Sequence, residues 1–263
     1  MKKLALTIFS LFFVLSSIPA FATPTKLVVR ARANDAKFIG TAVGGIAVAV
    51  KDFNTGKILA DGMISGGTGN TRLLMLKPLK RGEQIAGKHA ASFTTTLDIN
   101  KPVKLLIEIS GPLSAGIDLH KESKTVWLIP GRNLDKNGII FNLYGLMVEP
   151  SSPVPHEFHL VGDNIKIAAH VSPMCGCPIR PNFLWDANKY TIRATILKNG
   201  RKISELPMTY DGTIGDFATH FTPTATGTYS IVITAADQVN NQGVAIRSAV
   251  VVPPKAFHMI TGK

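Results

Sequence analysis

Gly227-Thr228-Tyr229-Ser230-Ile231-Val232-Ile233-Thr234-Ala235-Ala236-Asp237 is the stretch that decides the fold. Apolar and polar residues alternate along it. That period of two turns one side of the chain toward a core and the other toward water, as a half-buried strand requires. Asn240-Asn241-Gln242-Gly243-Val244-Ala245 follows as turn and returning strand, and Phe221-Thr222-Pro223 precedes it. Outward from there the same period recurs at Leu27–Arg32, Ile46–Val50, Leu105–Ile109, Thr125–Ile129, Ile139–Leu143, Asn164–Val171 and Lys189–Ile196. Gly, Pro, Asn or Asp bound each run, and no stretch carries a convincing helical stripe. The reading is an all-β chain of sandwich type.

Two such sandwiches in tandem are the economical division of 263 residues. The boundary is expected at Glu149-Pro150-Ser151-Ser152-Pro153-Val154-Pro155, where three prolines favour an extended connection. This assigns residues 23–149 to a first domain, 150–156 to a linker, 157–254 to a second domain and 255–263 to a tail. Val50 to Gly62 reads as strand, tight turn, strand. Gly66-Gly67-Thr68-Gly69-Asn70-Thr71 lacks the lysine that a phosphate loop needs after its last glycine, and reads as a turn.

The Phe221–Ala245 stretch resembles the last two strands of bacterial immunoglobulin-like domains. In that family a tyrosine after the glycine turn closes a corner of the sandwich, and Tyr229 stands in the matching place. Two features depart from the pattern: no distant cysteine pair bridges the sheets, and Trp185 precedes the Tyr190 strand instead of lying within it. The Val50–Gly62 hairpin resembles those of transthyretin-like and carboxypeptidase-regulatory-like sandwiches. These resemblances imply scaffold or adhesion-type roles.

Met1-Lys2-Lys3, the apolar run Leu4–Leu15 and the small residues up to Ala20-Phe21-Ala22 form a secretory signal with cleavage expected after Ala22. The chain is therefore expected in the periplasm or outside the cell, with no membrane span left in the mature form. Formal charge is +12, falling to +10 once Lys2 and Lys3 are removed. The densest basic group is Lys77, Lys80, Arg81 and Lys88, and a smaller one is Lys198, Arg201 and Lys202. Neither is interleaved with aromatics, so nucleic acid is not an expected partner. The bland reading is a solvated face. The partners expected are another envelope or secreted protein or an anionic surface polymer.

One segment carries concentrated chemistry: His170-Val171-Ser172-Pro173-Met174-Cys175-Gly176-Cys177-Pro178. Imidazole, thioether and two sulfurs within eight residues make His170, Met174, Cys175 and Cys177 a candidate soft-metal set, best suited to Cu(I). His220, or His156 and His159, could complete or replace a position. The competing reading is a Cys175–Cys177 disulfide, either a loop staple or a thiol-exchange pair. Against exchange, no thioredoxin-like pattern and no helix stand ready to lower a thiol pKa. Trp185 is expected in the core. Neither a Gly-x-Ser-x-Gly elbow nor a His-Glu-x-x-His motif is present, and the aspartates, Asp118 and Asp216 among them, sit where turns are expected. No catalytic residue is assigned. The functional expectation is an exported, non-enzymatic binding or accessory protein presenting a His-Met-Cys-x-Cys loop, with a structural or adhesive module as the alternative.

Overall fold

Strand β1 (Thr23–Ala33) is the middle of a three-stranded sheet, antiparallel to β4 (Phe93–Ile99) and parallel to β7 (Leu134–Leu143). A second sheet, in the order β3 (Ile58–Ile64), β2 (Ile46–Asp52), β5 (Val103–Gly111) and β6 (His120–Leu128), is antiparallel throughout. Ile46, Val48 and Val50 of β2 and Leu105, Ile107 and Ile109 of β5 are buried with Leu27, Val29, Ala31 and Phe141 of the first sheet. These are the inward members of the period-two pattern. The computed structural model describes residues 22–262, so the expected signal, Met1–Ala22, lies outside the described residues in all but its last position.

Unlike its neighbours, β1 is buried on both sides: Val28 and Arg30 are covered as well as Leu27 and Val29. The cover is the long connection from β3 to β4, residues 65–92. Arg30 donates to the carbonyls of Ala90 at 2.5 Å and Ala91 at 2.7 Å, bolting that connection down. Burial holds the Arg30 guanidinium pKa below its ordinary value. The turn after β2 forms as read: Asp52 Oδ1 accepts from the backbone N–H of Asn54 and Thr55, and Gly56 takes φ +71°. Gly66 and Gly69 also lie at positive φ, in keeping with a glycine turn, and a π-helical turn (Arg72–Leu76) follows where no helix was expected.

The later strands form a second pair of sheets. One has the order β15 (Thr209–Tyr210), β16 (Asp216–Phe221), β10 (Ile165–Pro173), β8 (Leu146–Ser152). The other runs β14 (Arg201–Pro207), β13 (Thr191–Lys198), β17 (Gly227–Ala236), β18 (Gln242–Val251), β9 (Phe158–His159). Between β10 and β13, β11 (Ile179–Arg180) pairs in parallel with β12 (Trp185–Asp186). Tyr229 is buried, stands edge-on to Phe221 at 5.4 Å between ring centroids, and donates its hydroxyl to the Ala225 carbonyl at 2.6 Å. That bond to backbone four residues upstream is the corner closure that the resemblance implied. The chain is all-β, of immunoglobulin-like sandwich type.

Two stretches differ from the sequence reading. Pro150 to Ser152, expected as linker, belong to β8, with Pro150 opposite Ala169 and Ser152 opposite Ala168. β8 is the outermost strand of its sheet, and a sheet edge tolerates proline because one side of the strand needs no N–H donor. The chain changes sheet earlier, at Tyr144-Gly145. The stretch read as a tail contains helix α1 (Pro254–Thr261), not announced by any helical stripe, with proline in its first turn, where a missing N–H costs nothing. Among the described residues no helix is long and apolar enough to cross a membrane.

Candidate functional site

The sulfur loop leaves the end of β10. Buried Ala169 and Val171 flank His170, so alternation puts the imidazole on the opposite, solvent-facing side. There His170 Nδ1 lies 2.8 Å from Asp216 Oδ1, its cross-strand partner. The ring also crowds Gly215, where an added Cβ would come within 2.4 Å of it. Past Pro173 the chain reverses: Gly176 N–H donates to the Pro173 carbonyl at 2.8 Å, and Gly176 takes φ +67°. Glycine permits both that φ and the close approach of Val43 in the first half of the chain, 2.8 Å from where a Cβ would sit.

This loop is a buried wedge. Met174, Cys175 and Cys177 are 0, 1 and 2% exposed, and the two cysteines are joined in a disulfide. Of the four residues in the expected donor set, Cys175 and Cys177 are joined to each other, Met174 turns its methyl toward Gly145, and His170 lies on the solvent-facing side of β10. The substitute histidines lie elsewhere. His220 pairs with Lys166, seven residues or roughly 23 Å along β10 from Pro173. His159 pairs with Val251, at the end of β18 remote from Gln242. Among the described residues no group of three or more His, Cys, Asp and Glu side chains could hold a metal ion.

The histidine that does approach the loop is His120, at the start of β6. Its Nε2 and the Met174 methyl both crowd Gly145, lying 3.1 and 2.6 Å from an added Cβ there. Nothing in the sequence pointed to His120, because its proximity depends on how the sheet that contains β6 meets the later strands.

Around this wedge a set of polar contacts ties the two halves. Asp118, at the end of a 3-10 turn (Leu113–Asp118), accepts from Val148 N–H at 3.0 Å and from Val244 N–H at 3.4 Å. Burial pushes its carboxyl above the ordinary value, while those two N–H groups and nearby His120 pull the other way. Asn241 is buried, takes the Gly145 N–H on its Oδ1 at 3.0 Å, and donates Nδ2 to the Asn34 carbonyl at 3.3 Å. Asn34 in turn donates to the Val239 carbonyl at 2.8 Å. Gly243 lies so close under β8 that an added Cβ would sit 2.1 Å from the Leu146 carbonyl oxygen. Trp185 is core, as expected, with its indole N–H 3.4 Å from the Asp35 carbonyl.

Beside Trp185 a cleft of about 160 Å³ is lined by Asp35, Tyr190, Asp237 and Val239. Burial, with the Asp237 and Asp35 carboxylates adding to it, drives the Tyr190 phenol far above its usual pKa. It stays protonated at any physiological pH. Asp237 accepts from the Val239 and Asn241 N–H groups and the Asp35 carbonyl lies 3.4 Å from the Trp185 indole N–H, so these residues knit together the turns at this end of the fold.

No family model matches the chain, and no curated protein does. Solved structures do. The fibronectin(III)-like modules of Clostridium thermocellum CbhA are similar at 9% identity, over 86% of this chain and 93% of that one, with a TM-score of 0.28. The chicken interferon gamma receptor alpha chain is similar at 12% identity, over 88% and 98%, with a TM-score of 0.30. An engineered protein is similar at 13% identity over 45% of this chain, which spans only 22% of that protein, with a TM-score of 0.31. These likenesses assign no function. The sheets themselves carry the fold, and such a fold suits a binding or structural module.

Proposed function

We propose that this chain is an exported, non-enzymatic binding or structural module whose two sandwiches, residues 23–143 and 146–251, act as one stiff body toward another envelope or secreted protein. In this reading the Cys175–Cys177 loop is the staple of the seam. The observation that carries it is the burial of the joined sulfurs and of Met174, with Gly176 against Val43 and the Met174 methyl against Gly145. Donors sunk there cannot be offered to a partner, and a disulfide sheltered from solvent is poorly placed for thiol exchange, which needs access by an attacking thiolate. Export rests on the Met1–Ala22 signal pattern.

Intact-mass measurement with an alkylating agent tests the staple. The native protein should take up no label until it is unfolded and reduced, and then two. Two labels without reduction would refute the staple. Copper presentation is the rival outcome. If reduced native protein holds one Cu(I) and a Cys175→Ser/Cys177→Ser variant holds none, the loop is a soft-metal site and the staple reading fails.

A further inference from the structure

The β3–β4 connection has two sides of opposite character. Its inner side is fastened: Arg30 holds Ala90 and Ala91, Asn137 Oδ1 accepts from Ile85 and Ala86 N–H at 2.8 and 3.2 Å, Asn137 Nδ2 donates to the Glu83 carbonyl at 2.8 Å, and Leu74 is buried. Its outer side is an unbroken exposed run from Leu76 to Gly82. In that run Leu76 is 64% and Leu79 47% exposed, beside Lys77, Lys80 and Arg81, with Arg72 and Lys88 exposed on either flank. Against these five cations the whole connection carries one carboxylate, Glu83. That carboxylate is already engaged, its Oε2 accepting the Lys80 backbone N–H at 3.0 Å. None of the five cationic side chains has an ion pair or hydrogen-bond partner among the described residues.

We propose that residues 72–88 form a membrane-docking loop, which inserts Leu76 and Leu79 into the interface of an anionic lipid bilayer while Arg72, Lys77, Lys80, Arg81 and Lys88 engage the headgroups. Unpaired cations alone fit any polyanion. The two leucines favour lipid, because a hydrophilic polymer offers no apolar phase to receive them, whereas the boundary between headgroups and acyl chains does. The bolted inner side adds to this: the loop is already ordered when free, so little chain entropy is lost on docking. The charge complements the negative surface potential of anionic leaflets, where each basic residue strengthens binding about five-fold. The inference is independent of the disulfide, so failure of either reading leaves the other standing.

The test is sedimentation of the mature protein with vesicles of phosphatidylcholine alone and of phosphatidylcholine mixed with phosphatidylglycerol. Binding should require the anionic lipid and weaken with added salt. Replacing three charges, as Lys77→Gln/Lys80→Gln/Arg81→Gln, should weaken it about 100-fold. Leu76→Ser/Leu79→Ser keeps the charge and should still weaken binding about ten-fold. Thermal melting of both variants should match wild type, since the altered side chains are exposed. Equal binding to both vesicle types, or no binding to either, overturns the proposal. So does full vesicle binding by the leucine variant; displacement of wild type by an anionic polysaccharide would then make the loop a polyanion site.

Discussion

Replacing Asp118 by alanine tests whether the earlier and later strands are coupled through the seam. The carboxylate reaches from the first half to two backbone N–H groups of the second, at 3.0 Å on Val148 and 3.4 Å on Val244. Val148 is buried, so truncation strands its amide, at a cost of about 1–3 kcal/mol. Val244 is exposed and its bond is long; water replaces it for little. Relief of the half-buried charge offsets part of the loss, so the expected net is about 1–2 kcal/mol, or about 2–8 °C in melting temperature for a chain of this size. Asp118→Asn keeps one acceptor and should lose less than half as much.

The pH dependence has a definite sign. Burial raises the Asp118 pKa in the folded protein, so the folded form holds its proton more tightly than the unfolded chain does. The stability added by this tighter proton binding is full below the unfolded value of about 4 and is lost as pH rises through the folded value, while the hydrogen bonds to Val148 and Val244 remain. The stability of wild type relative to Asp118→Asn should therefore decline with rising pH across that window and then level off. Urea melts at a series of pH values read both effects. An Asp118→Ala variant within about 0.5 kcal/mol of wild type at neutral pH, or a wild-type advantage that grows with pH, would refute the coupling.

Two further outcomes follow from the same structure. Gly243→Ala drives a methyl to 2.1 Å from the Leu146 carbonyl oxygen and forces β18 and β8 apart, so it should destabilise by about 1–3 kcal/mol in denaturant melts, whereas alanine at Gly87, whose Cβ would meet nothing within 4 Å and whose φ is not in the left-handed region, should lose less. Tyr229→Phe deletes the 2.6 Å corner bond to Ala225 and keeps the ring packed on Phe221; about 1 kcal/mol should be lost, and an unchanged melting midpoint would deny the corner a role in stability.

Much of the fold is written locally. Ile231, Ile233 and Ala235 alternate with Ser230, Val232 and Thr234, and the structure buries the first set in β17, because the side-chain period of a strand is set within the strand itself. The Asp52–Gly56 turn and the Tyr229 corner are likewise closed by residues within four positions of each other, so spacing alone could announce them. The disulfide was legible as one of two readings of Cys175 and Cys177. What only the tertiary structure decided is which residues from distant strands meet. His170 follows its strand to the outer face and pairs with Asp216, forty-six positions away, while His120, twenty-five positions before Gly145, arrives beside Met174. Pro150 looks like a linker residue until β8 is known to be a sheet edge, and Asp118 and Asn241 look like turn residues until the two halves meet across them. A local pattern fixes which way a side chain faces. The identity of its neighbour is fixed by strand order and register, which depend on packing across the whole chain.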